Sequence, residues 1–170
     1  VFNDLYCLSH DQVHTLSLGA SKPGDYDLHV EAAKRFERGE AEKWVKQIAP
    51  RWRAAMRAAT GHEDPGHGLW DLPDHRTVPG GLNLPIILWL RNLTLGWGLT
   101  AYAKSRFNLM GNAGHWFPGE KVTEAFEQVD KDKLAAAASV NGWDGNDVVG
   151  KVAEAIDLLG GEEVKRQSAG

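Results

Sequence analysis

The sequence predicts a mainly α-helical chain with one β-strand near its N-terminus. Apolar residues recur at spacings of three and four over residues 41–59, which is the pattern of an amphipathic helix. The run over residues 82–103 is apolar on almost every side, which is typical of a buried helix. A shorter apolar run begins at Val13 and leads into the turn residues Gly19–Pro23, and it predicts the strand. With 42% hydrophobic and 25% charged residues, the 170-residue chain has enough apolar surface for the core of one modest domain.

A helix over residues 1–10, the strand and a helix that starts at Pro23 surround a turn with the features of a phosphate site. The N-terminus of a helix leaves backbone N–H groups without partners and carries the positive end of the helix dipole. Gly19 has no side chain to block a ligand, and Pro23 suits the first helical position, where no N–H is needed. By itself, however, such a turn is common in proteins that bind nothing there, so the bare pattern favours a structural turn.

The pattern over residues 41–59 predicts one helix or a pair of helices, because Pro50 should bend or restart it. The residues of its apolar stripe are Ala41, Trp44, Val45, Ile48, Trp52, Ala55, Met56 and Ala59. The residues of its outer face are Glu42, Lys43, Lys46, Arg51, Arg53 and Arg57. We interpret this basic row as a solvated face rather than as a binding site for an acidic partner.

The segment Gly61–Asn83 contains three prolines and is predicted to be a loop. Loops of this length are usually functional or disordered. The side chains in it that could donate nitrogen or oxygen to a divalent metal are His62, Glu63, His67, Asp71, Asp74 and His75. Their spacing matches no metal-binding motif, so we expect polar loop residues rather than a metal site. Trp70 and Leu72 are expected to bury their side chains and pin the loop onto the helices.

The apolar run over residues 82–103 is long enough to raise the question of a membrane span. Arg91 and Asn92 lie near its middle, and a charge at the centre of a bilayer costs about 2.5–3.5 kcal/mol. We therefore expect a buried helix, with Asn83 as its N-terminal cap, and no association with a membrane.

Two more helical regions are predicted toward the C-terminus. Residues 122–138 form one of them. The other has apolar residues at helical spacing over residues 148–159 and lies between Asp144 and the glycine pair that begins at Gly160.

The charge and cysteine content limit the possible partners and compartment. A net charge of −4 and an isoelectric point near 6.0 do not provide the basic face that nucleic-acid binding needs. The single cysteine, Cys7, excludes an intramolecular disulfide and is expected to be a buried thiol. A reducing, cytoplasmic location is the simplest interpretation.

Two stretches resemble one enzyme family. The run CLSHDQVHTLSLGASKPGDYDLHVEA, residues 7–32, resembles the last strand and helix of the aldo-keto reductase barrel. The run LNLPIILWLRNLTLGWGLTAYAKSRFNLMGNAGHWFPG, residues 82–119, is similar to the helical extension of a subgroup described as predicted aldo-keto reductase oxidoreductases. The resemblance implies the C-terminal end of a (β/α)8 TIM-type barrel over residues 1–37 and a helical C-terminal extension over residues 38–170. Because such a barrel needs eight strands and typically about 250 residues, this chain is expected to be the C-terminal part of a longer protein.

The resemblance also implies a cofactor, NAD(P)H. In the family, the turn after the last strand cradles the adenosine phosphate of the cofactor. The positions that occupy this turn here are Gly19, Ala20, Ser21 and Lys22. Asp25 stands where relatives often have a basic or amide side chain, and its carboxylate would repel a 2′-phosphate. His29 stands where the family usually places an asparagine near the adenine. These two departures imply either a preference for NADH over NADPH or a decayed site, and both remain open.

The activity implied by the resemblance is hydride transfer between a nicotinamide cofactor and a small carbonyl substrate. The family's catalytic residues lie on earlier strands and match no position here, so this chain alone is not expected to be catalytic and needs the remainder of the barrel as its partner. His115 and Trp116 are expected either to form a packing corner or to act as a lid that shapes the substrate pocket. Relatives often hold an iron–sulfur cluster in a comparable region, but this chain has no cysteine after Cys7 to bind one.

A second class of function is a noncatalytic helical interaction or assembly module. The chain has seven tryptophans in 170 residues, and any that are exposed would mark an interface.

Overall fold

The computed structural model describes residues 1–20, 22–112 and 117–161. The α-helices in these ranges are Phe2–Leu8 (α1), Asp27–Glu37 (α2), Ala41–Thr60 (α3), Leu84–Trp97 (α4), Thr100–Phe107 (α5), Val122–Gln128 (α6), Lys131–Ala138 (α7) and Gly145–Leu159 (α8). Short 3₁₀ turns occur at Pro23–Tyr26, Leu69–Asp71 and Pro79–Gly81. The prediction of a mainly α-helical chain is therefore confirmed.

The strand predicted to begin at Val13 is wrong, because residues 13–20 form no regular secondary structure. A strand is defined by backbone hydrogen bonds to a neighbouring strand, and the described ranges contain no second strand to supply them. The segment is largely open to solvent, and Leu18 is 37% exposed. Of the barrel end implied for residues 1–37, the structure shows two helices and an unpaired connecting segment.

The described residues separate into two compact units, Val1–Arg53 and residues 54–161. The division lies within α3. The boundary predicted after residue 37 is of another kind, because it divides the end of a barrel from a helical extension. It stays a prediction.

The first unit has a small core. Leu5 of α1, Ala32 of α2 and Ala41 of α3 are buried together, with Val1 and Trp44 packed partly against them. The large apolar side chains that the same unit leaves exposed are Tyr6, Leu18, Tyr26, Leu28, Val30 and Phe36. So small a core beside so many exposed apolar groups is typical of a surface that another structure covers.

The second unit is built around α4, against which α5 and α8 pack. The Asn83 side chain caps the helix as predicted, because its Oδ1 accepts a hydrogen bond from the Ile86 N–H at 3.4 Å. The residues that α4 buries are Leu84, Pro85, Ile87, Leu88, Leu90 and Leu93. Gly98 ends α4 in the left-handed conformation, with φ of 66°, which favours glycine. The predicted buried helix is confirmed, but it ends before residue 103 because Gly98 separates α4 from α5.

The other helices match the sequence patterns with two differences. Pro50 lies inside α3 without interrupting it, so a single helix covers the amphipathic pattern. The region 122–138 is divided into α6 and α7, because Asp130 caps α7 by accepting two backbone N–H bonds at 3.0 and 3.2 Å. Helix α8 lies between Asp144 and Gly160 as predicted, and the Asp144 side chain caps it by accepting hydrogen bonds from the N–H groups of Asn146 and Asp147. In the described part of the chain, none of the helices has both the length and the apolar character that crossing a bilayer requires.

Helices α7 and α8 meet in a tight junction at Gly145. The Ser139 hydroxyl donates a hydrogen bond to the Ala135 carbonyl oxygen at 2.9 Å and accepts one from the Gly145 N–H at 3.2 Å. A Cβ atom at Gly145 would lie 1.8 Å from the same carbonyl oxygen. At Gly150, in the middle of α8, a Cβ atom would meet no atom within 4 Å.

These two glycines give a matched pair of substitutions. We expect Gly145→Ala to lower the free energy of unfolding by about 1–3 kcal/mol, because the new methyl group overlaps a backbone carbonyl. We expect Gly150→Ala to raise it by about 0.5–1 kcal/mol, because alanine favours a helix more than glycine does. Urea unfolding followed by circular dichroism measures both changes. Equal effects of the two substitutions would contradict the tight junction.

Candidate functional site

The turn expected to hold a phosphate has its own carboxylate beside it. Pro23 lies in the first turn of the 3₁₀ segment that leads into α2, as predicted. The backbone N–H of Lys22 donates a hydrogen bond to Oδ2 of Asp25 at 3.2 Å. One of the amides at this helix start therefore already has a negatively charged partner from the same chain.

The described residues of the turn are accessible. Gly19, Ala20 and Lys22 are exposed, and a Cβ atom at Gly19 would meet no atom within 4 Å. Open backbone of this kind permits close approach of a ligand. Ser21, together with the proposed lid residues His115 and Trp116, lies outside the described residues.

His29 is bound to α1. Its Nδ1 lies 3.0 Å from Oδ2 of Asp4, whose residue is only 8% exposed. A buried carboxylate is costly without a hydrogen-bonding partner. His29 therefore has a structural role in the first unit, because the contact of its Nδ1 with Asp4 joins α2 to α1.

The loop side chains considered as metal ligands do not form one group. Glu63 pairs with Arg57 at 2.9 Å, and Asp74 pairs with Arg76 at 2.8 Å. The hydrogen bonds from the Arg76 side chain and backbone hold the pKa of the Asp74 carboxyl well below its ordinary value. Within the described ranges, no three His, Cys, Asp or Glu side chains lie in an arrangement that could hold a metal ion.

Two of these loop side chains, His62 and His67, are in contact with each other. Their rings stack with centroids 3.9 Å apart and planes at 20°. They line a cleft of about 620 Å³ in the second unit, between the loop, α4 and the segment 141–151. We call this space the polar cleft. Its volume lies within the range of about 300–1,000 Å³ found for small-molecule sites.

Three side chains hold the loop in place around the polar cleft. Asn92 donates its amide N–H to the Pro65 carbonyl oxygen at 2.9 Å, and Asn141 donates to the Asp71 carbonyl oxygen at 2.9 Å. Trp143 donates its Nε1–H to the Gly68 carbonyl oxygen at 3.1 Å. These bonds satisfy backbone groups of a segment that has little regular structure of its own.

The predicted roles of the loop's apolar residues are only partly correct. Leu72 is buried, with 5% of its surface exposed, as predicted. Trp70 is 63% exposed, so its predicted burial is wrong. Trp143, which the sequence did not single out, anchors the loop instead. Its partner lies 75 residues away, and no local pattern indicates a contact at that separation.

The basic groups of the polar cleft are paired internally. Arg91 donates from Nε to the Glu154 carboxylate at 2.6 Å, with a second contact from its terminal nitrogen at 2.5 Å. Its remaining terminal nitrogen donates to Oδ1 of Asn92 at 3.0 Å. Lys151 lies 2.5 Å from a carboxylate oxygen of Asp147. The ion pair with Glu154 of α8 therefore compensates the charge that Arg91 carries on a buried helix.

Comparisons with protein-family models, curated proteins and solved structures found no match to this chain. Function must therefore be inferred from the chain's own residues and geometry.

The contact between His29 and Asp4 predicts a stability effect. We expect His29→Ala to lower the free energy of unfolding by about 1–3 kcal/mol, because it removes a partner of a buried carboxylate. His14→Ala is the matched control, since His14 is exposed, and it should change the value by less than about 0.5 kcal/mol. Thermal and urea unfolding measure both variants. If the two histidines proved interchangeable in this assay, the structural role of His29 would be refuted.

Proposed function

We propose that this chain is the C-terminal part of an aldo-keto reductase-type oxidoreductase that uses NAD(P)H. When bound, the cofactor would supply the hydride that is exchanged with a small carbonyl compound. The remainder of the barrel would provide the catalytic residues, and this chain would contribute contacts to the cofactor phosphate and a lid over the substrate. A reducing, cytoplasmic location suits this activity and the free Cys7 thiol.

The uncovered apolar surface of the first unit is the observation that supports this proposal best. The exposed side chains Leu18, Leu28 and Val30 belong to the segment of residues 13–20 and to α2, whose sequences resemble the last strand and helix of the barrel. Fully burying such a side chain stabilises a protein by about 1.5–3 kcal/mol. Pairing residues 13–20 with neighbouring strands would also satisfy their backbone groups.

The turn fits a phosphate only in part. Exposed backbone at Gly19 and Ala20 and the exposed Lys22 side chain suit an anion. Asp25 opposes it, because its carboxylate already accepts the Lys22 N–H and would repel a second anion. NADH has no 2′-phosphate and would meet less of this repulsion than NADPH, so we propose NADH as the preferred cofactor.

A noncatalytic assembly module is the second candidate. The same exposed apolar side chains favour it, because a surface of this kind fits any partner that covers it.

The deciding experiment uses the complete gene product that contains this sequence. NADH and NADPH are titrated while tryptophan fluorescence is followed, and carbonyl reduction is measured by loss of the reduced nicotinamide absorbance. Saturable binding together with carbonyl reduction would support the oxidoreductase and overturn the assembly module. Failure to bind either nucleotide would overturn the oxidoreductase.

A single substitution tests the assignment of Asp25. In the same protein, we expect Asp25→Asn to tighten NADPH binding about three- to tenfold, with a smaller change for NADH, because it removes a negative charge near the phosphate position. Asp27→Asn is the matched control, because Asp27 is an acid two residues from Asp25 and lies exposed in the first turn of α2. Fluorescence titration measures the four dissociation constants. A similar gain from both substitutions would show that net charge, rather than Asp25 itself, limits NADPH binding.

A further inference from the structure

We infer that the polar cleft binds a small organic cation that carries a primary amine. The cleft lies wholly within residues 54–161, so this inference is independent of the proposed cofactor site. Three features lead to it: a preformed cavity, a surplus of negative charge, and acceptor groups that the protein itself leaves free.

The cavity is held open by bonds that need no ligand. Asn92, Asn141 and Trp143 attach the loop backbone to α4 and to the segment before α8. The Arg91–Glu154 ion pair joins α4, whose Arg91 lines the cleft, to α8. A site whose walls are fixed in advance loses little conformational entropy when a ligand binds.

The charges of the cleft favour a cation. The aspartates that line it are Asp64, Asp71, Asp144 and Asp147. Arg91 and Lys151 are the cations among its lining residues, and the net charge is −2 when both imidazoles are neutral. Both cations are also engaged, Arg91 by Glu154 and Lys151 by Asp147, so neither offers an unpaired charge to an anionic ligand.

The groups left free are hydrogen-bond acceptors. Within the described residues, the Asp71 carboxylate forms no ion pair or hydrogen bond, and the His62 and His67 rings contact each other without a hydrogen bond to any protein group. A neutral imidazole presents one acceptor nitrogen, and a carboxylate presents two oxygens. An ammonium group has three N–H donors and matches this set.

A metal ion fits these groups less well. The described residues offer no group of three metal ligands, and the two imidazole rings stack face to face. A metal ion needs several donors at short, fixed distances. An ammonium group needs no such fixed coordination geometry, because its three N–H donors form ordinary hydrogen bonds.

The experiment compares three probes of equal chain length on the full chain: 1,4-diaminobutane, butane-1,4-diol and succinate. Isothermal titration calorimetry at low salt measures affinity, and NMR spectra of the histidine side chains locate the site. We expect the diamine alone to bind, to shift the His62 and His67 signals, and to weaken as salt is added. Asp71→Asn should weaken diamine binding at least about fivefold. Asp132→Asn, an exposed acid on α7 outside the cleft, should leave it unchanged.

Several results would overturn the inference. These are tighter binding of the diol or of succinate, no binding of the diamine, an unchanged affinity in Asp71→Asn, or diamine binding that leaves both histidine signals in place. Zn²⁺ serves as a fourth probe, and binding of Zn²⁺ in preference to the diamine would replace the amine site with a metal site.

Discussion

The burial of α4 is the interaction on which the second unit depends. Most positions of this helix carry large apolar side chains, and they are covered by α5 and α8 and by residues of the loop such as Leu69, Leu72 and Val78. Each fully buried leucine or isoleucine stabilises the fold by about 1.5–3 kcal/mol, so the loop and the following helices are ordered largely by their contact with this helix. The same packing leaves the Arg91 side chain only 12% exposed, and its charge is compensated by an ion pair with Glu154.

The ion pair between Arg91 and Glu154 also determines which charges the polar cleft presents to a ligand. Arg91 is paired with a carboxylate of α8 and hydrogen-bonded to Asn92, so it offers no unpaired positive charge to a ligand in the cleft. Asn92 in turn donates a hydrogen bond to the loop backbone at Pro65. Two neighbouring residues of α4, Arg91 and Asn92, therefore link the position of the loop to the charge of the cleft. The first unit is different, since its core of three small or medium side chains leaves much of its apolar surface uncovered.

The features that the sequence predicted are those encoded locally. The cap at Asn83, the start of α8 after Asp144 and the amphipathic pattern of α3 depend on residues within a few positions of one another, and all three are present. The strand from Val13 was predicted from the same kind of local pattern, yet a strand exists only through pairing with another segment. The polar cleft could not be predicted either, because its contacts join residues that are 63 and 75 positions apart, as in Arg91–Glu154 and Trp143–Gly68. Trp70 and Trp143 illustrate the limit, since Trp70, which was predicted to be buried, is exposed, whereas Trp143 is partly buried against the core and holds the loop.

The central claim is that α4 is buried in a core formed by this chain, whereas residues 13–20 have no strand beside them in the described part of the chain. Native-state hydrogen exchange on the chain tests both parts at once, because it reports the opening of individual backbone amides. We expect amides in the buried part of α4, residues 87–93, to exchange only through global unfolding and to be among the slowest in the molecule. Amides over residues 14–20 should be nearly unprotected. Comparable protection in the two segments, or fast exchange within α4, would contradict this claim.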